Sequence, residues 1–199
     1  MNKPFYLASE NPAARRLLGN ARITVDVMAA DLDDQALQAP LEETGTSPED
    51  VALVLAEAKA VEVSGRHPGL LFLGCEQIWS LGDAVLNLPA DMEEARRRLL
   101  LLSGKMHQIN AAVVLARDGQ VLWRHAGVAN ITMLKLDPGF IGRYMAEVGA
   151  DGLQSASVCR IDGVGIQLVE KIEGDSFTAA GVPMLPLLAE LRRIGAIDS

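Results

Sequence analysis

Leu70 to Pro89, LLFLGCEQIWSLGDAVLNLP, is the stretch on which the reading of this chain turns. Its first four residues, Leu70-Leu71-Phe72-Leu73, are apolar without alternation, the pattern of a strand buried on both faces. Gly74 and Cys75 follow, then two polar residues, Glu76 and Gln77, before apolar character resumes at Ile78-Trp79. The pattern predicts a strand that ends ahead of Glu76. A carboxylate directly behind a buried strand is costly unless something pairs with it, and strand ends are where α/β proteins tend to put their chemistry. Taken alone, the stretch suits a Glu that merely points to water equally well.

The chain has 199 residues, 49% of them hydrophobic, and a formal net charge of −8. That length suits one domain or two small lobes with a proper core, and the hydrophobic share excludes disorder. No apolar run approaches the roughly 18 residues of a membrane span, and Phe5-Tyr6-Leu7-Ala8 is too short for a signal peptide. Cys75 and Cys159 fit neither a zinc nor a CxxC pattern, which points to reduced thiols and a cytoplasmic protein. The negative charge argues against nonspecific nucleic-acid binding. It leaves room for a small phosphorylated ligand held by a few local cations and a metal.

Toward the N-terminus, Lys3 to Ser9 reads as a first strand. Asn11 is a fitting N-cap and Pro12 a first-turn proline, opening a helix, Ala13 to Leu18, that stops at Gly19. Such a strand-to-helix turn is a natural anion seat, with Ser9 and Arg15 in position to help, although ordinary capping and a solvated arginine explain the same residues. Arg22 to Met28 alternates as a second strand and runs into Asp31-Leu32-Asp33-Asp34. That cluster is either a solvated loop or a set of oxygen ligands for a hard cation such as Mg2+. Pro40 to Gly45 reads as a mobile connection. Ser47-Pro48-Glu49-Asp50 is a strong helix start, and the helix runs to about Ser64 with Lys59 near its end, where a lysine complements the dipole anyway.

On the C-terminal side, Gly82-Asp83 turns into a short strand, Ala84 to Leu86. Asp91 caps a helix that Gly104 stops. His107 to Ala116 and Val121 to Leu136 read as a hairpin closed by the Asp118-Gly119 turn signal. Pro138 opens a helix to Val148, Val164 to Ile172 is the last strand, and a closing helix follows Pro183. Strands and helices are mixed, with hairpins in the second half, which indicates a mixed α/β or α+β fold in place of a doubly wound sheet. GxGxxG and GxxxxGKS signatures are absent, and no serine sits in a nucleophile elbow.

In order, these pieces resemble the Maf family of nucleotide pyrophosphatases, which hydrolyse nucleoside triphosphates to monophosphate and pyrophosphate. LASENPAARRLL from Leu7 is similar to that family's LASxSPxRRxLL, DLDD from Asp31 to its DxDE, and LAEAKA from Leu55 to its LAxxKA. GCEQ from Gly74 is similar to G[AS]D[TQ], NLP from Asn87 to GKP, and SGKMH from Ser103 to SGxxH. RIDGVGIQLVEKIEGD from Arg160 resembles the family's closing strand, and GVPML the start of its last helix. Gln77 and the Arg160/Asp162 pair resemble the subgroup that acts on 7-methyl-GTP.

The resemblance implies one Maf-like domain over residues 1–199, an elongated twisted mixed sheet with flanking helices, and two lobes around a central cleft, often in a homodimer. It implies that Glu76 binds Mg2+ or activates the attacking water and that Asp34 helps hold the metal. Ser9, Arg15 and Lys59 would face phosphates, and Gln77 would lie close to the reacting groups. The chain departs from the family pattern at Ala14 and Leu88, where arginine and lysine are usual, and at Asn11, Asp34 and Glu76, where serine, Glu and Asp are usual. Charged hydrogen bonds contribute about 1.5–3 kcal/mol each, so two missing cations imply turnover weaker by roughly two to four powers of ten. A weak pyrophosphatase, a non-catalytic nucleotide- or partner-binding relative, and an enzyme with an altered, more apolar pocket are the readings this leaves.

Overall fold

The computed structural model describes residues 4–198, so the Lys3 end of the expected first strand lies outside the described residues. Strand β1 (Phe5–Leu7) pairs in parallel with β2 (Asp26–Val27) on one side and β3 (Leu71–Leu81) on the other. With β4 (Ala84–Leu86), β5 (Met106–Arg117), β6 (Gln120–Met133) and β7 (Val169–Glu173), the described residues form one mixed sheet. Its order is β2-β1-β3-β5-β6-β7, with β4 on β3. The mixed α/β fold expected from the sequence is the fold observed.

Contacts divide the chain into two compact units. The first holds the residues up to Ile78, Asn110–Gly127 and those from Gly181 on; the second holds Trp79–Ile109 and Val128–Ala180. In the first unit, helix α1 (Pro12–Asn20) is capped by Asn11, whose Oδ1 accepts the Ala14 N–H at 3.0 Å. Helix α3 (Pro48–Arg66) is capped by Ser47 as its sequence signals. The β5–β6 turn places Asp118 and Gly119 both at positive φ, 54° and 72°, the geometry a two-residue hairpin loop demands. Its tip is tied down by Asp118, whose carboxylate accepts the Gly69 N–H at 2.6 Å. Helix α7 (Met184–Arg193) closes this unit.

In the second unit β3 turns at Gly82 to pair antiparallel with β4. Helix α4 (Met92–Leu102) buries Ala95, Leu99 and Leu102, and α5 (Pro138–Val148) buries Ile141, Tyr144 and Met145. The four-residue α6 (Ser176–Ala179) follows β7.

Four expectations need correction. Strand β3 does not end before Glu76 but runs eleven residues through it, because its parallel pairing with β1 stops at Leu73 while its antiparallel pairing with β4 begins at Trp79. The Pro40 segment is no loose connection: α2 (Asp34–Glu43), capped by Asp33, continues through the proline. Proline removes one helix hydrogen bond, and here the helix bridges that loss on an exposed element with no buried residue. The strand expected over Arg22 to Met28 shrinks to two residues, since the Arg22 and Ile23 N–H groups still close the turn on Gly19 and Leu18. Val164–Leu168 is a 3-10 turn, and the last strand starts only at Val169. Gly165 there passes so close to Arg160 that a Cβ would sit 2.6 Å from its main-chain N and O.

Candidate active site

Glu76 and Gln77 project to opposite faces of β3, as neighbours on a strand must. Gly74 shares a face with Glu76. A Cβ on Gly74 would lie 2.1 Å from the Ala56 carbonyl oxygen and 3.0 Å from the Ala60 Cβ, so α3 rests directly on the bare backbone of β3. This close approach sets the reach of Lys59, which lies on α3 between those two alanines. Its Nζ donates to Glu76 Oε2 at 2.5 Å and to Asp34 Oδ2 at 2.7 Å. Asp34 arrives on the first turn of α2, fixed there by Asp33, whose Oδ1 accepts the Ala36 N–H at 3.0 Å. The other Glu76 oxygen accepts the main-chain N–H of Gln77 at 2.9 Å.

The three charges are unequally shielded. The side chains of Lys59, Glu76 and Asp34 are 11%, 16% and 50% exposed. Burial on its own lowers the Lys59 pKa, but the Glu76 and Asp34 carboxylates more than offset it, and the ammonium stands above its ordinary 10.5. Lys59 therefore stays charged at any physiological pH, with its opening toward water on the Asp34 side.

Of the other residues that the sequence singles out, Ser9 is buried just beyond β1, and its Oγ has no hydrogen-bond partner among the described residues. An orphaned buried hydroxyl costs free energy unless a ligand or water meets it. Arg15 is exposed on α1, whereas Ala14 is fully buried, so an arginine at position 14 would have to displace core atoms. Gln77 packs on the face of β3 opposite Glu76, against Gly181, which also borders Ala13. Thus the structure joins Asp34, Lys59 and Glu76 by direct contact, and it puts Ser9 at the end of the strand beside β3. Gly74 and Gly181, which set these positions, open the GCEQ and GVPML motifs, but nothing in the sequence tells which backbone or side chain each lets approach.

Neither buried cysteine is a reactive thiol. Cys75 and Cys159 are free and buried, and burial pushes both thiols up, for Cys75 with further help from the Glu76 charge. His107, from the SGKMH motif, is fully buried with neither ring nitrogen bonded among the described residues, and burial lowers its pKa to about 4. It is neutral at physiological pH. Among the described residues no cluster of three or more His, Cys, Asp or Glu side chains gathers to hold a metal. Asp34 and Glu76 each turn one carboxylate oxygen to the Lys59 ammonium, and two carboxylates are the number a Mg2+ ion uses when phosphates and water complete its shell, once that ammonium gives way. No helix of the described residues is long and apolar enough to cross a membrane.

The profile of the family described as Maf-like protein matches residues 4–194. The chain is 61% identical over 198 residues to a protein of Mesorhizobium japonicum named 7-methyl-GTP pyrophosphatase, with 100% of both chains covered. A Brucella abortus protein of the same name is 54% identical with the same coverage. A Rhodospirillum rubrum protein named nucleoside triphosphate pyrophosphatase is 40% identical, covering 98% of this chain and 97% of its own. With these matches running from end to end of a mixed sheet whose central strand carries the paired Glu76, the chain belongs to the Maf-like family.

Proposed function

We propose that this protein is a hydrolase that splits nucleoside triphosphates into nucleoside monophosphate and pyrophosphate, with Glu76 and Lys59 at the centre of the reaction. The observation that carries this reading is the buried Lys59 ammonium held between Glu76 and Asp34. An entering triphosphate competes with these carboxylates for Lys59. Its oxygens take the ammonium's donors, and Glu76 is freed to accept a proton from the attacking water. Ser9, with its unpartnered buried hydroxyl, and Arg15 at the start of α1 donate to phosphate oxygens. Gln77 would reach the substrate from the other face of β3, the side on which Gly181 and Ala13 lie. Asp34 and Glu76 would hold a Mg2+ ion, which when bound supplies charge neutralisation on the phosphate oxygens. Phosphoanhydride cleavage asks for little beyond that and a positioned water.

The substrate to expect first is 7-methyl-GTP, the one named for the 61% and 54% identical relatives. No observation favours a non-catalytic relative. The family resemblance also carries a homodimer, which light scattering on the purified protein checks, and the two free thiols suit the cytoplasm. The test of function is pyrophosphate release from a panel of canonical and methylated nucleoside triphosphates, with and without Mg2+. Release from 7-methyl-GTP ahead of the unmethylated nucleotides, and loss on chelation, are the expected results. No release from any member of the panel refutes the reading.

A further inference from the structure

Gly181 lies at φ 108°, where side-chain-bearing residues are strained, and it is packed from two directions. A Cβ built there would fall 2.1 Å from the Gln77 carboxamide oxygen, 3.1 Å from its Cδ and 3.0 Å from the Ala13 Cβ. Such contacts are far inside van der Waals range, so any side chain at 181 excludes the present Gln77 conformation. The residues around it are anchored: Val182 and Met184 are buried on either side of Pro183, which fixes the backbone entering α7. Gly181 is also the residue at which the chain re-enters the first unit.

Gln77 has three side-chain torsions and, on an open strand, many rotamers. The one it adopts is open only because residue 181 has no Cβ. The same Gln77 holds Glu76 Oε1 through its main-chain N–H, and Ala13 belongs to the first turn of the helix that follows Ser9. We infer that Gly181 is a positioning residue, a seat whose missing side chain lets the Gln77 carboxamide lie near the first turn of α1, on the face of β3 opposite Glu76. This inference rests on the pyrophosphatase reading above for its catalytic consequence, though not for the contact itself.

The experiment is a double-mutant cycle on the full chain: parent, Gly181→Ala, Gln77→Ala and the double variant, each followed by pyrophosphate release and by thermal melting. A misplacement of about 1 Å around a site costs up to about 100-fold in rate, so Gly181→Ala should lower kcat by about 10- to 100-fold with KM changed by less than about 3-fold. Residues that act through one another are non-additive, so the double variant should be within about 2-fold of Gln77→Ala. An equal fractional loss from Gly181→Ala in both backgrounds overturns the seat.

An Ala at this φ is strained wherever Gln77 goes, so Gln77→Asn provides a second arm. It keeps the carboxamide but stops one methylene short of Gly181. It should be as impaired as Gln77→Ala to within about 3-fold, and parent-like turnover overturns the proposal. Melting separates the two readings. Gly181→Ala should lower Tm more in the parent than in the Gln77→Ala background, and equal drops refute the contact. If the parent releases no pyrophosphate, the functional reading fails, while the melting cycle still decides the seat.

Discussion

Lys59 in the first unit and His107 in the second are both bases buried at motif positions, and burial pushes both toward neutrality. They end in opposite states because of their partners. Lys59 meets two carboxylates at hydrogen-bond distance and stays an ammonium. His107 meets none at either ring nitrogen among the described residues, and its pKa falls to about 4. Charge is therefore kept where a triphosphate would need it and given up where a strand packs into a core. A motif histidine is often taken for a catalytic base, but this one is placed as a neutral packing group.

Removing the charge from the first of these pairs has the largest expected effect. Lys59→Met leaves two facing carboxylates without their cation. Breaking a buried pair costs about 3–5 kcal/mol, and the half exposure of Asp34 lowers that to about 2–3 kcal/mol by urea denaturation. Parent-like stability would mean that Lys59 is not what holds the two acids together. Next comes Gly74→Ala, which pushes a methyl into the Ala56 carbonyl. Overpacking of this kind costs about 1–3 kcal/mol, and the displaced α3 should carry Lys59 away from Glu76, so turnover falls along with Tm.

The two bases should also fail at opposite ends of the pH scale. His107 is neutral when folded and titrates from the ordinary 6.5 when unfolded. The unfolded chain thus binds more protons between pH 6.5 and about 4, and stability falls through that window by at most about 1.4 kcal/mol per pH unit. His107→Leu should flatten that slope, and an unchanged slope would assign acid sensitivity elsewhere. Lys59 has the reverse sign. Its folded pKa is raised, so its contribution is complete at neutral pH and is lost only as pH climbs above 10.5. The smallest effect belongs to Leu88→Lys: this side chain is 57% exposed, so stability should change by less than about 0.5 kcal/mol. Any gain in triphosphate affinity that then fades with added salt reports a restored phosphate contact.

What the sequence made legible is local chemistry. The Asn11 and Ser47 caps, the Asp118-Gly119 turn and the Asp91 helix start each depend on residues within four positions, and each is found in the fold. Readings that needed partners from elsewhere went astray. The apolar run Leu70 to Leu73 marks a strand but not its end, which is set by β4 pairing with β3 beyond Glu76. α2 was hidden by Pro40, whose local signal is a break although the helix runs through it. Motif order singles out Glu76, Lys59 and Asp34, but their meeting depends on Gly74 letting α3 down onto β3. Nothing in single-residue chemistry announces that distance.

The central claim is that the Glu76 carboxylate held against Lys59 is the group that accepts the water's proton. Single-turnover pyrophosphate release by Glu76→Gln, beside the parent and with Tm recorded for both, tests it most directly. The amide keeps the shape and removes the negative charge. General-base groups contribute about 100- to 10,000-fold, so the variant should slow by at least about 100-fold while remaining folded. Release at the parent rate from a folded Glu76→Gln protein would contradict the account and place the base at another residue.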